Sequence, residues 1–173
     1  MQILVTGGGG FLGSAIVKKL FNSQYKVTAL GRKKINDLPE DIETIECDLT
    51  NETLALKACK GIDVVFHVAA IAGIWGDPKE FYASNVEGTR NILRASLQTD
   101  VKRFIYTSSP SVVFCNTNME NVNEMVPYAN KYLCQYSLTK AIAEREVLSA
   151  NGKNGLLTVS LRPHLIWGPG DPH

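Results

Sequence analysis

Short runs rich in β-branched residues alternate along the chain with stretches whose apolar residues recur at helical spacing. Runs of the first kind predict six strands, at residues 2–6, 26–30, 43–47, 64–67, 103–107 and 157–161. Stretches of the second kind predict helices at residues 11–22, 51–60, 78 to about 97, and 132–150. This alternation is typical of a parallel sheet that carries helices on both faces.

The order of these elements predicts the fold class. Six strands joined by right-handed crossovers favour an α/β doubly wound parallel sheet, the Rossmann arrangement, with strand order 3-2-1-4-5-6. Asn51 or Thr50 is a candidate N-cap, Pro78 suits the first turn of a helix, and Gly152 follows the last helix. No repeat or linker divides the sequence, so we predict a single domain over residues 1–173.

Composition excludes several classes of protein. A net charge of +1 provides no field that would favour nucleic acid or an anionic membrane. The longest apolar stretch, residues 64–75, is too short to span a bilayer, and no signal peptide precedes the first strand. We therefore expect a cytoplasmic protein without a membrane span. Cys47, Cys59, Cys115 and Cys134 form no C-x-x-C pair, which favours reduced thiols and no metal site.

A glycine-rich loop lies directly between the first predicted strand and the first predicted helix. Binding of a pyrophosphate requires backbone without side chains, close to the free N–H groups at a helix N-terminus. Gly8, Gly10 and Gly13 fit the spacing G-x-G-x-x-G, whereas Gly7, Gly10 and Gly13 fit G-x-x-G-x-x-G, and the sequence leaves both open. The position of the loop between strand and helix favours a dinucleotide site over a flexible turn.

The end of the second strand bears on which dinucleotide is bound. An acid there would bind the 2′-hydroxyl of NAD, whereas an arginine accommodates the 2′-phosphate of NADP. The sequence has Arg32-Lys33-Lys34 and no acid before Asp37. The guanidinium of Arg32 offers bidentate donors for a phosphate, although a solvated basic turn is the alternative. NADP(H) is therefore favoured, and NAD(H) stays open.

A tyrosine and a lysine lie four residues apart on the last predicted helix. The ammonium of Lys140 is expected to lower the pKa of Tyr136 and so make the phenol an acid–base group. Thr107-Ser108-Ser109 ends the fifth strand and would face the same crevice. A serine hydroxyl there could hold a substrate carbonyl oxygen, and from the residues alone Ser108 and Ser109 compete for that role.

These motifs together resemble the extended short-chain dehydrogenase/reductase family, which includes epimerases and dehydratases. The resemblance extends from residue 1 to residue 173. It is carried by the glycine loop at 6–13, Asp48-Leu49, the HVAA segment at 67–70, NVEGT at 85–89, the serine pair, Tyr136 with Lys140, and Arg-Pro at 162–163 before WGPG at 167–170. Within the family, the sequence looks most like the 3β-hydroxysteroid-dehydrogenase-like branch. Its segments 68–76 and 161–173 together are similar to bacterial 2-alkyl-3-oxoalkanoate reductases.

The resemblance implies roles for individual residues. Tyr136 would be the catalytic acid/base, Lys140 would bind the nicotinamide ribose, and Ser109 would orient the substrate oxygen. Asn85 would support the active site from its helix, and His67 would be a core residue beside the cofactor. The residues expected to bind the dinucleotide are Gly7, Gly10, Phe11, Leu12, Gly13, Arg32, Asp48 (on the adenine amino group), Leu49 (on the adenine ring), Ala69, Tyr136 and Lys140.

The expected function is hydride transfer between NADP(H) and a secondary alcohol or ketone, with a 3-oxoacyl or 3β-hydroxysteroid-like small molecule as substrate. A nucleotide-sugar epimerase or dehydratase and a non-catalytic dinucleotide-sensing regulator are the alternatives. Family members are about twice the size of a typical domain, so we expect that the C-terminal substrate-binding part is missing here and that the chain alone is inactive. Homodimerisation is expected through the helices at about 78–97 and 132–150.

Overall fold

The computed structural model describes residues 1–171, so the last two residues of the predicted domain lie outside it. All six predicted strands are present, and they form one parallel sheet with the predicted order β3-β2-β1-β4-β5-β6. The strands are β1 (Gln2–Thr6), β2 (Lys26–Gly31), β3 (Glu43–Glu46), β4 (Val64–His67), β5 (Arg103–Thr107) and β6 (Leu157–Leu161). β2 ends one residue later and β3 one residue earlier than predicted, and assignments of strand ends commonly differ by this much.

Successive residues of the strands supply two separate hydrophobic cores, because side chains alternate between the faces of a sheet. Ile3 and Val5 of β1 face the first helix, α1 (Phe11–Asn22), and pack with its Val17. Leu4, between them, faces the opposite side and belongs to the larger core. That core is covered by α2 (Glu52–Ala58), α4 (Gly88–Gln98) and α5 (Gln135–Ser149).

Local chemistry explains where two helices begin. Asn51, not Thr50, caps α2, because its side-chain oxygen accepts a hydrogen bond from the amide of Leu54 at 3.1 Å. The helix predicted at 132–150 begins three residues later, at Gln135. Tyr132 instead packs against a third small cluster that contains Val112 and Ala141, and this tertiary contact overrides its place in the helical pattern.

The helix predicted over residues 78–97 is not one continuous α-helix. It consists of α3 (Pro78–Tyr82), a π-helical turn at Ala83–Glu87, and α4. Asp77 caps α3, and Pro78 occupies its first turn as predicted. A π turn holds an extra residue and is often found at functional sites. Here it contains the buried Asn85, whose side chain leaves the helix to bind a neighbouring loop.

The sequence predicted no membrane span, no metal site and reduced cysteines, and the following holds for the described residues. No helix within residues 1–171 is long and apolar enough to cross a membrane. Across the same range, no group of three histidine, cysteine or acidic side chains is placed to hold a metal ion. The four cysteines are unbonded, with Cys47 and Cys59 buried, Cys134 half-buried and Cys115 exposed.

Candidate functional site

A cavity of about 1020 Å³ lies at the carboxyl edge of the sheet, between the ends of β1 and β4. This is where the strand order of a doubly wound sheet reverses and where such folds bind ligands. The residues that line it include most of the predicted site: Gly7, Gly10, Phe11, Leu12, Gly13, Arg32, Asp48, Leu49, Ala69, Ser108, Ser109, Tyr136 and Lys140. The structure therefore brings the predicted cofactor residues and the predicted catalytic residues to one cavity.

The glycine loop is held by close backbone contacts that leave no space for side chains. Gly7 has a φ of +69°, and a Cβ atom there would lie 2.8 Å from the amide nitrogen of Ala69. The amide of Gly10 donates to the carbonyl oxygen of Gly7 at 2.9 Å, and a Cβ on Gly13 would overlap that same oxygen. Gly8 packs against Ala29 and does not line the cavity. The geometry therefore favours the spacing with Gly7, Gly10 and Gly13.

The N-terminus of α1 opens into the cavity. Its N-cap is Gly10, which has no side chain to accept the free amide hydrogens of the first turn, and that turn contains no acid. Phe11, Leu12 and Gly13, which form the turn, all line the cavity. Unsatisfied N–H groups at a helix N-terminus, together with the helix dipole, favour an anionic group. The backbone of this loop therefore fits a pyrophosphate.

Charged residues surround the other end of the cavity. Arg32, Lys33 and Lys34 follow β2 and are exposed on the cavity wall. Asp48 accepts hydrogen bonds from the amide and the hydroxyl of Thr50, at 2.9 and 2.8 Å. The backbone hydrogen bond from Thr50 is the main cause of the lowered pKa of Asp48, and the charge of Arg32 adds to it. Asp48 is therefore ionised and fixed at the cavity edge.

A chain of hydrogen bonds runs from the end of β1 to the π turn. The hydroxyl oxygen of Thr6 accepts from two backbone amides of the loop after β4, so its hydrogen is donated to Nδ1 of His67 at 2.7 Å. Burial, helped by the charge of Lys140, lowers the pKa of His67 to about 3, so the ring is neutral. Its Nε2 therefore donates to Thr89 at 2.8 Å. His67 is the core residue that the sequence predicted.

Asn85 fastens the loop after β4 to α5. Its side-chain oxygen accepts from the amide of Ile71 at 2.8 Å, and its amide group donates to the carbonyl of Ile71 and to the hydroxyl of Thr139. Thr139 immediately precedes Lys140. The supportive role predicted for Asn85 thus has a structural basis, because it holds two walls of the cavity at a fixed separation.

The two candidate serines face different surroundings. Ser109 lies beside Tyr136, where its hydroxyl lowers the pKa of the phenol, and it also contacts Ser111 at 2.9 Å. Ser108 is buried, and its hydroxyl has no hydrogen-bond partner among the described residues, although it is close enough to Glu144 to lower the pKa of that carboxyl. The geometry therefore favours Ser109 as the serine that could face a substrate.

The predicted effect of Lys140 on Tyr136 is wrong for this structure. Burial raises the pKa of Tyr136, only partly offset by Ser109, and Lys140 makes no contribution to the shift. The ammonium of Lys140 is turned toward β5 and donates to the carbonyl oxygen of Thr107 at 2.5 Å. Burial also lowers the pKa of Lys140 to about 7, so its charge is partly lost near neutral pH. Helical spacing places both residues on one cavity but does not fix where the long lysine side chain points.

The side chains of Arg162 and Pro163, which follow β6, face different surroundings. Pro163 lines the cavity, together with His164. Arg162 instead turns into the protein and forms a bidentate ion pair with Glu144 of α5, which is completely buried. Burial alone would raise the pKa of Glu144. Hydrogen bonds, those from Arg162 foremost, keep this pKa below its usual value. This pair fixes α5 to β6 behind the site.

Comparison with known sequences identifies the family. Residues 4–173 match the sequence profile of the 3-beta hydroxysteroid dehydrogenase/isomerase family. The chain belongs to this family. It is 42% identical to a 2-alkyl-3-oxoalkanoate reductase of Shewanella oneidensis and 38% identical to a 3-beta-hydroxysteroid dehydrogenase of Mycolicibacterium neoaurum, each over 98% of the chain. It spans only about half of these relatives, 46% and 49% of their lengths.

Solved structures agree with this assignment at the level of the fold. The UDP-glucose 4-epimerase of Thermus thermophilus in complex with NAD superposes with a TM-score of 0.91 at 28% identity, covering the whole chain and 58% of the epimerase. MoeE5 in complex with UDP-glucose and NAD has a TM-score of 0.85 at 32% identity, over 99% of this chain and 56% of its own. The chain therefore shares the fold of the corresponding part of two proteins that bind NAD, one of them an epimerase.

Three residues that support the site were given no role in the sequence analysis. Thr6, Thr89 and Tyr106 surround His67, and all three are buried. Thr6 could have been found, because a hydroxyl at the end of β1 can bind the backbone of the adjacent strand. Thr89 and Tyr106 come next to His67 only through the packing of α4 and the pairing of β5, which residue spacing does not reveal.

Proposed function

We propose that the chain is the dinucleotide-binding part of an NADP(H)-dependent oxidoreductase that transfers hydride between the nicotinamide and a secondary alcohol or ketone, such as a 3-oxoacyl or 3β-hydroxysteroid-like compound. One observation carries the proposal. Ser109, Tyr136 and Lys140 line the same cavity as the glycine loop and the N-terminus of α1. An anion site and an acid–base group in one cavity suit a phosphate-bearing cofactor and a reacting oxygen.

The residues around the cavity suit each part of a dinucleotide. Gly7, Gly10 and Gly13 would hold the pyrophosphate through backbone amides, together with the first turn of α1. Asp48 and Leu49 would bind the adenine, and Ala69 lies on the wall near the glycine loop. The bound cofactor would supply or accept the hydride. The chain itself would position the reacting carbon and manage the proton.

Proton transfer is assigned to Tyr136. Because burial raises its pKa, the phenol is protonated at neutral pH and can donate to the oxygen of a substrate that becomes an alkoxide. Ser109 would hold that oxygen by a hydrogen bond, since it lies beside the phenol. Lys140 would bind the nicotinamide ribose, and its ammonium has two further donor hydrogens beyond the one bound by Thr107.

A preference for NADP(H) over NAD(H) is proposed from the end of β2. Arg32, Lys33 and Lys34 are exposed on the cavity wall where a 2′-phosphate would lie. The two solved structures described above contain NAD, so the preference depends on these basic residues alone. We also propose a homodimer formed through the surfaces of α3, α4 and α5.

The proposal is tested by replacing Tyr136 with Phe in the complete enzyme. Removal of the phenolic oxygen should lower turnover by at least about 100-fold, the usual worth of general acid–base catalysis, with little change in NADP(H) affinity. Tyr132→Phe is the matched control, because it removes a buried hydroxyl that has no partner among the described residues and lies away from the cavity. Normal turnover by the Tyr136 variant would show that the catalytic assignment is wrong.

A nucleotide-sugar epimerase or dehydratase is the second candidate, favoured by the superposition on the Thermus epimerase. The sequence relatives with higher identity are named as a reductase and a dehydrogenase, so we rank this candidate second. Assay of the complete enzyme with UDP-glucose, and separately with a 3-oxo ester, separates the two candidates. Conversion of UDP-glucose without net consumption of NADPH would favour the epimerase.

A further inference from the structure

Lys140 is a buried cation that has no acidic partner among residues 1–171. The residue is 2% exposed, and among residues 1–171 Arg90 and Arg162 pair with acids whereas Lys140 does not. The acid one turn along its own helix, Glu144, is already bound by Arg162 and by two hydroxyl groups. A buried charge needs compensation from its surroundings, so other groups must stabilise this ammonium.

Two groups of β5 contact the ammonium directly. The carbonyl oxygen of Thr107 accepts one hydrogen bond at 2.5 Å. The aromatic ring of Tyr106 lies beneath the nitrogen, which is 4.1 Å from the centre of the ring. The face of an aromatic ring carries partial negative charge and attracts a cation, most strongly where water is excluded.

The ring of Tyr106 is fixed in position. It is 1% exposed, and it stacks on the imidazole of His67 with 5.7 Å between ring centres and 25° between planes. The same two residues are paired across β4 and β5. His67 is neutral, as described above, so the stacked ring does not bring a second positive charge toward the lysine.

We propose that Tyr106 is a positioning residue whose ring face takes the place of a counter-ion for Lys140, raises the fraction of the side chain that is charged and directs the ammonium along the cavity wall. Among the described residues the hydroxyl group of Tyr106 completes no hydrogen bond, although Thr89 is close enough to lower its pKa, so it is the ring face that meets the ammonium. The inference deepens the proposed function, because Lys140 is the residue expected to bind the nicotinamide ribose. The test of the inference requires neither cofactor nor substrate. A negative result would therefore overturn the role of Tyr106 without bearing on the proposed function.

Three titratable groups besides Tyr106 lie around Lys140. Glu144 on α5 favours the charged form of Lys140, and the charge of Lys140 in turn helps to lower the pKa of His67 on β4. Tyr136, also on α5, shares the cavity wall. Against them, burial lowers the pKa of Lys140 to about 7. Loss of the ring face should lower this pKa further, because the charged form loses an attraction that the neutral amine does not use.

The test is a pH titration followed by NMR, with the chain labelled with ¹³C at the lysine Cε atoms. The signal of Lys140 is assigned as the one that is absent from the spectrum of Lys140→Arg. Tyr106→Phe keeps the ring and should leave the proton affinity of Lys140 within about twofold of wild type. Tyr106→Leu removes the ring and should lower that affinity about tenfold, a fall of about 1 in pKa.

A second measurement keeps the shape of the side chain, in case the leucine variant does not fold. Phenylalanines with one, two and three ring fluorines at position 106 withdraw electrons from the ring face in steps and change its volume little. A stepwise fall in the pKa of Lys140 along this series supports the proposal. An unchanged pKa across the series overturns it, because packing alone would then explain the position of Tyr106.

Discussion

A methyl group at position 13 would overlap the carbonyl oxygen of Gly7, within the loop that we assign to the pyrophosphate. Gly13→Ala should therefore shift the loop backbone, lower the free energy of unfolding by about 1–3 kcal/mol, and abolish stabilisation of the chain by NADP+. Urea unfolding with and without nucleotide measures both effects.

Gly61→Ala is the matched control for this substitution. Gly61 has a φ of +72° but no atom near the position of a Cβ, and it does not line the cavity. Its replacement should reduce stability by about 1–2 kcal/mol through backbone strain alone. Stabilisation by NADP+ should persist in this variant. Equal loss of nucleotide binding in both variants would mean that general destabilisation, not loop geometry, explains the result.

The buried imidazole of His67 predicts a specific pH dependence of stability. Burial lowers its pKa to about 3, whereas an unfolded histidine titrates near 6.5, so below 6.5 the unfolded state binds more protons than the folded state. Stability is therefore fully present above pH 6.5 and is lost as the pH falls toward 3. Between pH 6.5 and 5 the loss should be about 2 kcal/mol.

Urea unfolding at pH 7 and pH 5 measures this loss. The carboxyl groups with lowered pKa values, Asp48 and Glu144, titrate at lower pH and contribute little in this interval. Lys140, whose pKa is about 7, adds only about 0.4 kcal/mol to the loss. His67→Asn should abolish most of the difference between the two pH values, whatever its effect at pH 7. His164→Asn removes an exposed histidine and should retain the wild-type difference. An unchanged difference in the His67 variant would refute a buried neutral imidazole.

At the scale of the elements, two asparagines of the helical segment after Pro78 fasten the loops that carry the site. Asn85 binds the loop after β4, and Asn91 donates to the carbonyl oxygens of Leu49 and Thr50 in the loop after β3, at 2.8 and 3.1 Å. The second loop presents the residues assigned to the adenine. The position of that loop therefore depends on α4 as well as on the sheet.

Asn91→Ala should leave two carbonyl groups without their donor and lower the free energy of unfolding by about 1–3 kcal/mol. It should also weaken NADP+ binding, because Asp48 and Leu49 are no longer held. Calorimetric titration and urea unfolding check the two effects. Asn22→Ala, at an exposed position at the end of α1, should change neither quantity. Binding of wild-type strength by the Asn91 variant would contradict the role given to this loop.

The sequence predicted the strands and helices well, but it did not predict the π turn that divides one of the helices. The six strands and their order follow from alternating patterns and from chain direction, which are local signals. The π turn within residues 83–87 was missed, because the apolar pattern continues through it and only the buried contacts of Asn85 reveal it. The direction of Lys140 was missed for a similar reason, since its partner Thr107 lies 33 residues away. Local patterns thus place residues on a cavity, and tertiary contacts decide where side chains point.

At the scale of the whole molecule, the proposed dimer is tested by light scattering on the eluting chain. Leu148, near the end of α5, is 42% exposed on one of the helices proposed to form the dimer. Leu148→Glu should weaken association, because it introduces charge where an apolar contact is proposed. Leu157→Glu changes an exposed leucine of β6 and should leave the mass at twice that of the chain. A monomeric wild-type chain would refute the dimer.

The central claim is that the glycine loop and the basic end of β2 bind a dinucleotide phosphate. The most direct measurement is the melting temperature of the chain with NADP+ and with NAD+ at equal concentrations. We predict that NADP+ raises the melting temperature more than NAD+ does. Arg32→Ala should lower the affinity for NADP+ about 10- to 100-fold and so remove this advantage. Arg94→Ala, which changes an exposed arginine away from the cavity, should retain it. Equal rises would contradict the assignment of NADP(H), and no rise with either nucleotide would contradict the site itself.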